Sequence, residues 1–304
     1  MNRMSVISHA HRRPRRKGVR NLGGRLGRVT TLLVFAIVFG YPLLAFLAVS
    51  FRSDDGTGLG GFGVTNAVQS WQTVLDFNGA VFLRWLMNSV VVAGGGSLIA
   101  VLAGVPAGYA IARLRFGGRR LLRFLTLLTM VIPNTVLVIP LYLEVSAIDA
   151  INNIWVVALL MGFYPFGVYL AYIHFKTTLP TQMIEAARID GLSEILIFLR
   201  IAVPVSKQAV ALVGFFSFVA NWTNFFLPLV LLPLATNATV SVGLQQLVSS
   251  SPLFDPTTAA GLDVRLYAPQ LALATLVTIV PVLTVFVVAQ RFLIRGQMLG
   301  AVKG

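Results

Sequence analysis

The residues best suited to chemistry stand in one polar stretch of an otherwise apolar chain, 179–204. An acid on a short exposed helix can pair with a basic residue of another protein, and small neighbours let that protein come close. Other charges in the stretch can hold its own shape. The alternative is an amphipathic loop that rests on a bilayer surface. The group comprises Glu185, Ala186, Ala187, Arg188, Asp190 and Gly191.

Two short helices must position this group. Pro180 suits a first helical position, because its fixed φ and missing N–H cost nothing there. We expect Gly191 to stop the first helix with a positive φ, Ser193 to cap the second and Pro204 to end it. The second helix is predicted to bury one apolar stripe, since its apolar residues recur at three-to-four spacing: Ile195, Phe198, Leu199 and Ala202.

A second polar group interrupts an apolar segment nearer the carboxyl end. Its amides could meet the hydroxyl edges of a sugar and its aromatic rings the apolar faces, so it is a candidate solute path. The alternative is structural, a hydrogen-bonded cluster between helices beside an aromatic belt. The sequence leaves both open for Asn221, Trp222, Thr223, Asn224 and Phe225.

The composition is that of an integral membrane protein. The 304 residues are 57% hydrophobic and 11% charged, with a mean hydropathy of +0.83, whereas soluble domains are about 25% charged. Cysteine is absent, which excludes disulfides and thiolate metal sites. The three histidines are too scattered to predict a metal centre.

Six apolar segments are each long enough to cross a bilayer, which needs about 20 helical residues. We therefore predict an all-α protein with six transmembrane helices. A basic cytoplasmic arm, 1–28, which we expect to be disordered, precedes the first span, 29–51. A Gly-rich extracytoplasmic loop, 52–87, follows with Trp71 and Trp85 as interfacial anchors. The remaining spans fall within 88–295, before a cytoplasmic tail, 296–304: 88–112, 121–143 (broken by Pro133 and Pro140), 153–173, 208–234 and 270–292.

The distribution of positive charge predicts the orientation. Of the 24 Lys and Arg residues, 21 fall in alternate connecting segments that include both termini. Positively charged loops are retained in the cytoplasm, so both termini and the 179–204 stretch are predicted to be cytoplasmic. The net charge of +14 is thus spread over several loops, and we expect no nucleic-acid partner.

The polar stretch also resembles a known motif. Glu185-Ala186-Ala187, then Gly191, Ile201 and Val203-Pro204 at fixed spacing, is similar to the EAA loop of ABC-importer permeases, which usually ends in Leu-Pro. Further stretches resemble the carbohydrate, maltose-type branch of that family. They include 106–119, Ile189-Asp190-Gly191 and the carboxyl-terminal 290–304.

The resemblance implies a type I permease in the bacterial plasma membrane, whose residues 180–204 form a coupling helix that docks on a dimer of ATP-binding subunits. It further implies a second, different permease, an extracytoplasmic solute-binding protein and a carbohydrate or related polyol-type solute. This chain lacks a phosphate-binding G-x-x-x-x-G-K-[ST] loop, so ATP and Mg are expected on the partner and no cofactor here. The family usually has an acidic residue near this point of the sequence. This chain has the uncharged Asn224, which cannot take the role of a carboxylate there.

Two other classes of function remain as alternatives. A secondary transporter or channel often carries intramembrane charges, and the predicted spans have essentially none away from their ends. A membrane enzyme needs paired carboxylates, a His cluster or a nucleophile with its base at one depth, and the sequence offers none of these.

Overall fold

The computed structural model describes residues 22–53, 61–254 and 266–294. Within these ranges the protein is helical, with one isolated antiparallel bridge between Arg52 and Phe62. A 3-10 turn spans Asn134–Leu137, a π-helical turn spans Phe198–Ala202 and a second 3-10 turn spans Ala235–Asn237. The α-helices are α1 Leu22–Ser50, α2 Val64–Asp76, α3 Val81–Arg113, α4 Arg119–Val131, α5 Val138–Ala147, α6 Ile154–Met161, α7 Pro165–Thr178, α8 Thr181–Ile189, α9 Glu194–Ile197, α10 Val203–Val205, α11 Lys207–Trp222, α12 Phe226–Leu231, α13 Val240–Ser249 and α14 Ala268–Ile294.

The chain divides into two compact units, residues 1–45 and 46–304. The first unit contains most of α1, in which the rings of Phe35 and Phe39 stack with centroids 5.9 Å apart. Helix α1 begins at Leu22, so the last seven residues of the basic arm are helical and the predicted disorder is wrong for 22–28. Residues 1–21 and the predicted tail lie outside the described ranges.

Four described helices or helix pairs are long and apolar enough to cross a membrane unbroken: Gly27–Ser50, Val81–Arg113, Ile154–Thr178 and Ala268–Phe292. Two bent pairs raise the count to six if each is one span. Arg119–Val131 and Asn134–Ala147 meet at 93°, at the predicted Pro133 break, whereas Pro140 lies inside α5 and does not interrupt it.

The fifth predicted span, 208–234, differs most from the structure. Glu194–Val205 and Lys207–Trp222 form the second bent pair, at 79°. The helix ends at Trp222, and the chain passes Thr223 before the separate short helix α12. Residues 223–234 therefore form a break and a short helix and do not continue the span of α11.

Helix α3 is the central element, and it packs closely against α7. A Cβ built on Gly108 would lie 2.5 Å from the Ala171 Cβ and 2.7 Å from the Tyr172 nitrogen. Gly96 brings α3 similarly close to α6, at Met161, and to Asn221. Gly94, in contrast, has no neighbour within 4 Å of a Cβ built on it.

The amino-terminal end of α3 binds the connection that precedes α13. The Trp85 indole N–H donates to the Ala235 carbonyl at 2.6 Å, and the Asn88 amide donates to two carbonyls of the same connection. Trp85 is fully buried, so its prediction as an interfacial anchor is wrong. The predicted loop 52–87 also contains α2 and the first turns of α3.

A hydrophobic cluster at the other end of α3 joins the long helices to the polar stretch. Tyr109 of α3 stacks edge-on with Phe175 of α7, and both rings contact Phe198 of the π-helical turn. Ile184 and Ala187 of α8 are buried in the same cluster. The polar stretch is therefore packed on the helical core.

Candidate functional site

The predicted two-helix loop is present between α7 and α11. Helix α8 begins at Thr181, one residue after Pro180, and ends at Ile189. Gly191 has a φ of +81°, which only glycine adopts without strain. The Ser193 hydroxyl then accepts a hydrogen bond from the Leu196 N–H and caps α9. The capping and turn predictions are correct, but the second helix continues past Pro204 to Val205.

An ion pair closes this loop on itself. The Arg188 Nε donates to the Glu194 Oε1 at 2.6 Å, across the Gly191 turn. This hydrogen bond raises the pKa of the Arg188 guanidinium. Between described residues it is the single ion pair. Arg188 thus fixes the angle between α8 and α9.

The two alanines of the motif face opposite ways. Ala187 is buried against the core with Ile184, whereas Glu185 and Ala186 are exposed. Ile189, Asp190 and Gly191 are exposed as well. The loop consequently presents an acid, a small residue and a turn to whatever approaches it.

The apolar stripe of the second helix is predicted correctly at two of its four positions, Phe198 and Ala202, which pack in the core cluster. Ile197 and Ala202 are fully buried, and Ile201 packs against the same cluster. Ile195 is 71% exposed and Leu199 is also exposed. The π-helical turn at Phe198–Ala202 departs from 3.6 residues per turn, so three-to-four spacing does not predict every buried position.

Arg113, the last residue of α3, holds the carboxyl end of α7. Its guanidinium donates to the carbonyls of Phe175, Lys176 and Leu179 and, at 2.8 Å, to the Thr181 hydroxyl. Helix ends leave carbonyls without partners, and a guanidinium with five donors satisfies several at once. The sequence alone does not reveal this role of Arg113, since its partners lie more than 60 residues away.

A second site lies where the broken helices meet. Pro133 ends α4, and the following Asn134 and Thr135 line a cavity of about 140 Å³ together with Asn221 and Asn224. The rest of the lining is apolar and includes the aromatic rings of Phe163, Tyr164 and Phe226. The Asn221 Nδ2 is buried against Gly96 of α3 and has no hydrogen-bond partner among the described residues.

The five residues predicted for the solute path are not all brought together. Asn221 and Asn224 line the cavity, whereas Trp222 is buried and its indole N–H donates to Thr278 of α14. Thr223 donates to the Val219 carbonyl of its own helix, and Phe225 packs in the cluster around Trp85. The opposite wall of the cavity includes Asn134 and Thr135, two polar residues in an apolar segment. Their polarity is the feature of the sequence that could have predicted this wall.

Residues 100–298 match the family model described as binding-protein-dependent transport system inner membrane component. The chain belongs to this family. It is therefore a permease subunit of an ABC importer, in which solute-binding and ATP-hydrolysing proteins work with the membrane component. The predicted importer function is confirmed, and an uncoupled transporter or a membrane enzyme is set aside.

Curated relatives align over almost the whole chain. The inner membrane ABC transporter permease protein YcjP of Escherichia coli is 29% identical, over 92% of this chain and 97% of its own. The arabinooligosaccharides transport system permease protein AraQ of Halalkalibacterium halodurans is 28% identical, over 88% of this chain and 93% of its own.

A solved structure has the same fold as this chain. A chain of a bacterial ABC transporter involved in the import of the acidic polysaccharide alginate superposes with a TM-score of 0.73 and 23% identity. The match covers 90% of this permease and 99% of that chain. The all-α importer fold predicted from the sequence is thus confirmed, while the exact number of spans is not fixed by the comparison.

Proposed function

We propose that α8 and the Gly191 turn form the coupling helix, which docks in a cleft of the ATP-binding subunit. The observation that carries the proposal is the contrast between the buried Ala187 and the exposed Glu185 and Ala186 on one short helix. Burial of one face anchors the helix to the permease, and the other face is left for a partner. Glu185 supplies the ionic contact there.

Arg113 would make this docking mechanically effective. It joins the start of α8 to the ends of α3 and α7, so a displacement of α8 is transmitted to both long helices as a rigid-body motion. Hydrolysis of Mg-ATP would take place on a dimer of ATP-binding subunits, and this chain would bind no cofactor.

We further propose that the solute is a carbohydrate or related polyol. The cavity at the helix breaks combines amides with aromatic rings, which suits hydroxyl edges and apolar sugar faces. AraQ, named for arabinooligosaccharides, and the alginate importer support the same class of solute. A second, different permease would complete the pathway, and both termini would be cytoplasmic. No nucleic-acid partner is proposed.

Disulfide trapping tests the coupling proposal directly, because the chain has no cysteine of its own. Single cysteines are placed at Ala186 or at Ala187, and the ATP-binding subunit carries single cysteines along its cleft. In membranes of cells that co-express the transporter, we expect a crosslink from Ala186→Cys. The neighbouring Ala187→Cys is the matched control, since its side chain faces the core.

The contrast between the two positions decides the result. A crosslink at Ala186 with none at Ala187 supports docking through the exposed face of α8. Equal crosslinking at both positions, or silence at both with the two proteins present, would overturn the assignment of this face as the docking surface.

A further inference from the structure

Two cations converge on one tyrosine at the end of α7, away from the coupling loop's ion pair. The Arg123 guanidinium of α4 lies 6.0 Å from the centroid of the Tyr172 ring and donates to its hydroxyl at 3.3 Å. The Lys176 ammonium lies 5.6 Å from the same centroid. Tyr172 itself is 4% exposed, so the two cations cover a ring that is packed into the core.

Neither cation has a carboxylate partner among the described residues. The only ion pair there joins Arg188 to Glu194. Cation–π contacts contribute roughly 0.5–1 kcal/mol each at exposed sites, and two like charges held near one ring repel each other. An anion between them would remove that repulsion and accept charge-assisted hydrogen bonds from both.

The surroundings of the two cations are apolar on the side that leads into the membrane. One helical turn from Arg123, Leu127 is 41% exposed, and Phe124 beside it is also exposed. One turn from Lys176, Ile173 is 38% exposed. The site therefore offers two cations at the ends of spanning helices and open apolar side chains directly next to them.

We propose that Arg123, Lys176 and the Tyr172 hydroxyl bind the headgroup phosphate of an anionic phospholipid. Basic residues at the membrane surface attract anionic lipids at about 1 kcal/mol per cation. The exposed Leu127 and Ile173 favour a lipid over a soluble phosphate, because acyl chains would cover these side chains. The site involves neither the coupling face nor the cavity at the helix breaks.

The test measures lipid retention by the assembled transporter. The complex is purified, placed in nanodiscs containing equal amounts of phosphatidylglycerol and phosphatidylcholine, and examined by native mass spectrometry after release. We expect a phosphatidylglycerol adduct on the wild type that falls at least fivefold in Lys176→Gln and in Arg123→Gln. Arg120→Gln is the matched control, since it removes the same charge from an exposed position on α4 and should leave the adduct unchanged.

Three other outcomes would contradict the lipid site. Equal retention in wild type and in both variants would overturn the proposal, as would equal retention of phosphatidylcholine. Displacement of the lipid by millimolar inorganic phosphate would show a soluble-anion site instead. Lys176→Gln guards against misfolding, because Tyr172 is the one side-chain partner of that ammonium among the described residues.

Discussion

The Arg113 guanidinium and the Thr181 hydroxyl lie 2.8 Å apart, so the last residue of α3 meets the first residue of α8. The same side chain donates to carbonyls at the end of α7. One hydrogen-bonding group therefore joins α3 to α7 and α8, although α7 begins about 50 residues after α3 ends. Whatever moves α8 acts on α3 through this contact as well as through the hydrophobic cluster beneath it.

Replacement of Arg113 should separate coupling from membrane insertion. Arg113→Lys keeps the charge but loses the planar set of donors, so we expect solute uptake to fall at least tenfold while the protein still inserts and assembles. Uptake and the amount of membrane-embedded complex are measured together. Arg120→Gln is the control, and uptake near the wild-type level in Arg113→Lys would contradict the assigned role.

The Arg188–Glu194 pair should tolerate exchange of its charges. Because both side chains are partly exposed, the pair contributes only about 0.2–1 kcal/mol to stability, but it sets the angle between two helices. Arg188→Glu and Glu194→Arg should each reduce uptake severalfold, and the double exchange should recover most of it. Additive losses in the double variant would indicate that the residues act independently.

Gly191 should be sensitive to backbone conformation more than to size. No atom lies within 4 Å of a Cβ at this position, but its φ is +81°, which costs most residues roughly 1–2 kcal/mol. Gly191→Val is expected to abolish uptake without preventing insertion, and Gly191→Asn, which enters the left-handed region more readily, to retain part of it. Equal activity of the two variants would argue against a conformational cause.

Gly108 should be the most sensitive glycine of α3 in a stability measurement. An added methyl group would meet the Ala171 Cβ and backbone atoms of α7, so Gly108→Ala must push the helices apart, at a cost of about 1–3 kcal/mol. Gly94→Ala, with open space around it, should be neutral or slightly stabilising. Thermal unfolding of the detergent-solubilised complex measures both, and similar melting temperatures would contradict the packing argument.

Asn221 should affect solute recognition. Its side chain lines the cavity at the helix breaks, and loss of one hydrogen bond to a neutral solute costs about 0.5–1.5 kcal/mol. Asn221→Ala is therefore expected to raise the solute concentration for half-maximal uptake about 2- to 12-fold. Thr223→Ala is the control, since its hydroxyl is bonded to its own helix; an equal shift in both would place recognition elsewhere.

The sequence predicted the coupling loop better than the cavity, and the reason is the range of the interactions. Gly191 and Ser193 act on neighbours within three residues, so their types alone predict the turn and the cap. Arg113 and Thr181 meet across 68 positions. The Trp222 indole binds a carbonyl of α14, a partner 56 positions away that its own neighbours in the sequence do not predict. The predicted group 221–225 is therefore divided between two environments.

The two ends of α3 are bound to different parts of the chain. Trp85 and Asn88 hold one end to the connection before α13, and Arg113 holds the other to α7 and α8. At 1.5 Å per residue, the 33-residue helix is about 50 Å long. It can therefore serve as a lever. A tilt of about 5° around the end that carries Trp85 displaces the end that carries Arg113 by about 4 Å.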